Sequence, residues 1–286
     1  MHISKVRLSL CFAVALLGCQ AGKSQAADVP SETVTYTEAG SPIVLKGLIY
    51  KPPGDGPFPA VLYNHGSAPG MTNTQAFDLL GPVFAAHGWI LFAPYRRGQG
   101  LSAEAGPYIL DEIAAARKRG GQQAASETLV RLLTTDHLSD QTAAFDWLVQ
   151  QPFVQTSRIA TMGNSFGGIE ALLGARRLGY CAAVDASGGA ESWAQSPELR
   201  DTMTKAVRQI PIPVLFFQAK NDYDVAPSVT LHKEMVEAGK AAEINLYPAY
   251  GSSDRDGHSF AYRGISVWQA DAFRFLDTYC GTARSR

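Results

Sequence analysis

The feature that most constrains this chain is a repeated alternation of short apolar runs with helix-period segments. Ala60 to Tyr63, Trp89 to Ala93, Ile159 to Met162, Ala182 to Val184, Val214 to Ala219 and Glu243 to Tyr247 are each short, mostly apolar and bounded by turn residues. Such runs read as strands covered on both faces, the signature of a parallel sheet. Between them the helical period appears over Phe77 to His87, Gln141 to Val149, Ile169 to Leu178 and Ser228 to Ala238, and a last helix over Val267 to Tyr279 closes the chain. Strand and helix in turn predict an α/β, doubly wound sheet with right-handed crossovers. Ahead of it, Val34 to Thr37 and Ile43 to Tyr50 flank Gly40-Ser41-Pro42 and predict an opening antiparallel hairpin.

Two segments interrupt the pattern. Residues 102–138 are polar and helix-prone, carry Arg117-Lys118-Arg119, and are too long for an ordinary connection. They predict a helical excursion over one edge of the sheet. Residues 187–210, with Trp193, form a second insertion. No repeat and no low-complexity tract is found.

At the N-terminus Lys5 and Arg7 precede the apolar run Leu8 to Gly18, shorter than the roughly 20 residues a membrane-spanning helix needs. This reads as an export signal. Two cleavage chemistries compete: Leu16-Leu17-Gly18-Cys19 resembles a lipobox, which would end the signal at residue 18 and lipidate Cys19, while Ser24-Gln25-Ala26 offers small residues for ordinary processing. The second is preferred. The expected organisation is therefore a signal over 1–26 and one α/β domain over 27–286, in a periplasmic, secreted or membrane-anchored protein. Export would leave Cys181 and Cys280 as an even pair in a compartment that permits a disulfide, with two separate buried thiols as the alternative. A net charge of −1, with no dense basic run, excludes a general nucleic-acid binder. No Cys/His spacing suggests a metal site.

Chemistry concentrates where Ile159 to Met162 runs into Gly163-Asn164-Ser165-Phe166-Gly167-Gly168, which opens the helix starting at Ile169. This is G-x-S-x-G between a strand and a helix. A serine on so sharp a turn needs neighbours without Cβ two positions to either side. The following helix aims its dipole and the Phe166 NH at the place where a carbonyl oxygen would turn negative. A neutral serine hydroxyl also needs a histidine base and a carboxylate to orient it. His258 is the chosen base because it falls in a polar loop beyond the last strand. Asp222, at the exit of Val214 to Ala219, is the chosen acid ahead of Asp224. Ser165, Asp222 and His258 then stand in nucleophile-acid-base order. The NH of Ser67, in Tyr63-Asn64-His65-Gly66-Ser67, is the expected second oxyanion donor, and His65 is read as structural.

With these pieces in place, the sequence resembles the α/β-hydrolase superfamily, and within it the dienelactone hydrolase-like and prolyl-oligopeptidase-like serine hydrolases. The resemblance rests on Tyr63-Asn64-His65-Gly66, the stretch Pro94 to Ser102, Gly163 to Gly168, Asn221-Asp222-Tyr223 and Asp256-Gly257-His258-Ser259-Phe260. It implies an eight-stranded, mostly parallel sheet and cleavage of an ester, thioester or lactone of a small substrate through an acyl-enzyme, without a cofactor. Dienelactone hydrolases proper use a cysteine where this chain has Ser165, which sets dienelactone itself aside. Gly98-Gln99-Gly100-Leu101-Ser102-Ala103 imitates a dinucleotide fingerprint but lacks the strand-to-helix turn that would seat a pyrophosphate. Tyr95, Arg96 and Trp193 are candidate substrate contacts, with core packing or an internal ion pair as the bland reading of each. A small peptidase and a non-catalytic binding protein on the same scaffold are the competing functions. Peptidases of the prolyl-oligopeptidase type usually carry a further domain, so small esters are preferred.

Overall fold

The computed structural model describes residues 29–68 and 75–281. The expected export signal over 1–26 and Cys19 lie outside the described residues. One eight-stranded sheet runs through the molecule. Its strands are β1 (Glu32–Thr37), β2 (Val44–Tyr50), β3 (Phe58–Asn64), β4 (Ile90–Pro94), β5 (Val154–Asn164), β6 (Ala183–Ala186), β7 (Val214–Ala219) and β8 (Ala242–Tyr247). They lie in the order β1-β2-β4-β3-β5-β6-β7-β8. The opening hairpin β1–β2 is antiparallel and β2 meets β4 antiparallel, whereas every pair from β4 to β8 is parallel.

Burial follows position in the sheet. Every residue of β4, β6 and β7 is buried, while the edge strand β8 is only partly covered. One face packs on α1 (Gln75–Ala86) and α9 (Ile265–Cys280), where Phe77, Phe84, Trp268 and Phe275 meet Tyr63, Leu91 and Phe217. The other face carries α3 (Asp136–Val149), α4 (Phe166–Ala175), α5 (Pro197–Val207) and α6 (Ala226–Glu237). Ser196 caps α5 by accepting from the Leu199 NH at 3.2 Å.

The excursion departs from expectation. Residues 100–105 form a short 3₁₀ turn, and α2 (Ile109–Thr134) then lies across α3, α4 and α5 rather than over a sheet edge. Ile109, Leu129, Leu132 and Leu133 bury against Leu138, Ile169 and Leu172, so the apolar side of α2 finds its partner in the helical layer. The axis breaks at Gly120 and Gly121, the latter at φ 72°.

Cys181 and Cys280 are joined in a disulfide that ties the segment leading into β6 to the end of α9 across 99 residues of chain.

Candidate active site

The sharp turn between β5 and α4 holds Ser165 at φ 56°, ψ −124°, a backbone conformation rare for a residue with a side chain. Its NH donates to the Ala186 carbonyl on β6 at 3.1 Å, which pins the turn to the neighbouring strand. The two glycines permit the close crossing. A Cβ on Gly163 would lie 2.0 Å from the Gly167 carbonyl oxygen, and one on Gly167 would lie 1.9 Å from that of Asn64. Phe166 opens α4, so its NH belongs to the first turn, whose donors have no partner inside the helix.

Asp222 and His258 meet beyond the ends of β7 and β8. His258 Nδ1 donates to Asp222 Oδ1 at 2.8 Å, which leaves Nε2 for the cavity. Asp222 is buried and otherwise held by the Tyr223 NH on Oδ1 (2.7 Å) and Gln218 Nε2 on Oδ2 (3.1 Å). Asp224 points elsewhere and accepts from the Ala226 NH at the start of α6. Where the sequence suggested a flexible loop, His258 ends a short helix, α7 (Asp254–His258), closed by a capping box between Ser253 and Asp256. Asn221 braces that helix to the Asp222 turn: its Nδ2 donates to the carbonyls of Tyr250 (2.9 Å) and Ser253 (2.7 Å), and its Oδ1 accepts from the Tyr250 NH. The Tyr223 ring stands 5.1 Å from the His258 ring.

Ser165 and His258 line one cavity of about 260 Å³ together with His65, Gly66, Ser67, Asn164 and Tyr262. Gly66 lies so close to Ser165 that a Cβ on it would come within 3.1 Å of the serine Cβ. The structure therefore brings together Ser165, His258, Asp222 and the Gly66-Ser67 turn, although they are distant in sequence.

Tyr95, Arg96 and Trp193 are not placed for substrate contact. Tyr95 is 4% exposed and packs on His65 and Phe77 in the core. Trp193 is 6% exposed and belongs to the core beneath α5. Arg96 is 5% exposed and pairs with Glu170 of α4 at 2.6 Å. It also donates to the carbonyls of His65 (2.5 Å) and Gly66 (3.1 Å) and to Ser67 Oγ (2.7 Å). Arg97 pairs with Asp140 at 2.6 Å. Both arginines are thus spent inside the protein, because a guanidinium entering this core needs a carboxylate partner.

His65 is buried, its Nε2 accepts from the Arg96 NH (3.2 Å) and its Nδ1 donates to the Gly66 carbonyl (2.7 Å). Burial and the neighbouring Arg96 charge push it well below the usual histidine range, so it stays neutral. Glu170, Gln218 and Asn221 carry supporting roles that sequence reasoning missed. Only the helix around His258 left a local signal, the Ser253-x-x-Asp256 capping pattern.

The profile of the dienelactone hydrolase family matches residues 45–275. The chain belongs to the dienelactone hydrolase family. No curated protein matches the sequence. Among solved structures, this family member is similar to an acylaminoacyl peptidase from Pyrococcus horikoshii, with 14% identity, TM-score 0.64, and coverage of 91% of this chain but 43% of that one. An esterase from Pyrococcus furiosus shares 15% identity at TM-score 0.63, covering 88% of this chain and 94% of the esterase. Dipeptidyl peptidase 4 from Porphyromonas gingivalis shares 20% identity at TM-score 0.60, covering 88% of this chain and 36% of that one. The hydrolase thus spans under half the length of both peptidase chains. At such identities these likenesses establish the α/β-hydrolase fold.

Proposed function

We propose that this chain is a serine hydrolase that cleaves a carboxylic ester, lactone or thioester of a small substrate through an acyl-enzyme on Ser165. The observation that carries the reading is the 2.8 Å bond between His258 Nδ1 and Asp222 Oδ1 behind a cavity that Ser165 shares with His258. His258 Nε2 takes the proton from Ser165 Oγ as the oxygen attacks the substrate carbonyl. Asp222 fixes the ring in the required tautomer and stabilises the imidazolium. The NH groups of Phe166 and Ser67 receive the oxyanion, and His258 returns the proton to the leaving alcohol. Water, deprotonated by the same imidazole, then releases the acid and restores the serine.

Reaction of the folded protein with a fluorophosphonate tests this. A single adduct on Ser165, blocked in Ser165→Ala, is expected, together with turnover of p-nitrophenyl acetate. No adduct would remove the covalent scheme. A dipeptide amide panel run beside the esters separates an esterase from a peptidase, and faster turnover of the amides would reverse the preference stated here.

The reading includes export. The disulfide supports it, since such bonds persist in oxidising compartments and are rare in the reducing cytosol. Recovery of all the protein in a cytosolic fraction would contradict it.

A further inference from the structure

Behind Phe166 lies a second cavity, of about 490 Å³, between α2 and the loop from β6 to α5. Adjacent residues border the two cavities: Ser165 lines the catalytic one and Phe166 lines the other. The groove therefore borders the residue next to the attacking serine.

The groove is apolar along one stretch and polar along another. Leu110, Ile113 and Leu129 of α2 form an aliphatic wall with Phe166. The break at Gly120 and Gly121 lets residues on both sides of it face the same space, and Gln122 Nε2 then donates to the Gln195 carbonyl on the opposite wall at 3.1 Å. Ser126 is already bonded to Ser196 and Glu198, which leaves that part of the floor satisfied.

Two charges on the lining are uncommitted. Arg117 is exposed, stands just before the break, and pairs with no carboxylate among the described residues. Glu191 is exposed on the opposite wall. Glu191 follows Ala186, whose carbonyl accepts the Ser165 NH, by five residues, so its wall of the groove starts at the catalytic end. A carboxylate near the serine opposes a negative group close to the reacting carbonyl. A guanidinium by the bend favours one further out.

We infer that this groove is the acyl subsite of the hydrolase and takes a linear acyl arm, apolar next to the ester carbonyl and ending in a carboxylate that Arg117 receives. The inference rests on the Ser165 reading above.

The test compares kcat/KM of the full chain on p-nitrophenyl acetate, p-nitrophenyl hexanoate and the mono-p-nitrophenyl ester of adipic acid, which has the hexanoate length with a terminal carboxylate. The adipate ester is expected to exceed the hexanoate, and the hexanoate the acetate, by about tenfold each, the lower end of what an apolar pocket discriminates. Arg117→Gln, at an exposed position, should bring adipate down to the hexanoate level and leave acetate unchanged. Ile113→Trp, which fills the groove, should remove both preferences with acetate turnover retained. Acetate as the fastest substrate, or an adipate preference that survives Arg117→Gln, overturns the subsite while leaving the serine hydrolase intact. Loss of all three activities in the wild type, with no fluorophosphonate adduct, overturns the parent reading and the subsite with it.

Discussion

Arg96 and Glu170 form a buried ion pair, 2.6 Å between Nη1 and Oε2, that links the loop bearing Ser67 to the helix that begins at Phe166. Each of the two NH groups assigned to the oxyanion sits on one side of this bridge. The same guanidinium also holds the carbonyls of His65 and Gly66, so a single side chain sets the spacing of the two donors.

Replacing Arg96 by Lys keeps the charge but loses the planar fork that reaches several acceptors at once. A fall in kcat of about 10- to 100-fold on p-nitrophenyl acetate is expected, less than the roughly 100- to 1000-fold that outright loss of an oxyanion donor costs, with KM little changed. A rise in KM at constant kcat would assign Arg96 to binding. Arg96→Met leaves Glu170 buried and unpaired and should destabilise the protein by about 3 to 5 kcal/mol in urea unfolding.

Asp222 and Asp224 have different partners, His258 for the first and the Ala226 NH for the second. Asp222→Asn removes the acceptor that selects the histidine tautomer, and kcat should fall by roughly 10⁴. Asp224→Asn keeps an acceptor for the Ala226 NH and should retain activity close to wild type. Steady-state kinetics of the two variants decide it, and equal losses would contradict the assignment.

The buried Asp185 makes stability fall with pH. Burial pushes its carboxyl up to about 7, offset only by the Gly188 NH on Oδ1. The folded state therefore holds a proton that the unfolded state releases near the ordinary carboxylate value, so unfolding becomes easier as pH rises from about 4 to 7 and then levels off. Asp185→Asn imitates the protonated form. Its melting temperature should exceed that of the wild type at pH 8, with the gap closing towards pH 4. An unchanged pH profile in thermal melts would show that Asp185 is ionised at neutral pH.

Cys181 and Cys280 close a separation of 99 residues, for which loop entropy alone gives about 4 to 5 kcal/mol. The Cys181→Ser, Cys280→Ser double variant should melt roughly 10 °C or more below the oxidised protein, on the scale of 2 to 4 °C per kcal/mol for a domain of this size. Neither cysteine touches the catalytic cavity, so kcat at 20 °C should be retained.

The strands were the most legible elements because β4 and β7 are buried throughout and read as mostly apolar runs; β7 spans the same Val214 to Ala219 in sequence and in structure. The excursion was legible as a helix but not in its placement. Its few buried leucines show that it must cover something, and only α3, α4 and α5 show what. The helix around His258 was overlooked although its capping pattern was present, because five residues are too few for a helical period to show.

Local chemistry in the sequence determined the order of strands and helices and the turn at Ser165, since tight crossing excludes side chains at Gly163 and Gly167 wherever the rest of the chain lies. It also narrowed the acid and base to a handful of residues. Tertiary structure alone decided that Asp222 faces His258 while Asp224 turns to the Ala226 NH, and that Arg96, Tyr95 and Trp193 turn inward. An arginine in a loop carries no mark of whether its partner is solvent, substrate or a carboxylate 74 residues further along the chain. That choice depends on burial, and burial is a property of the packed whole.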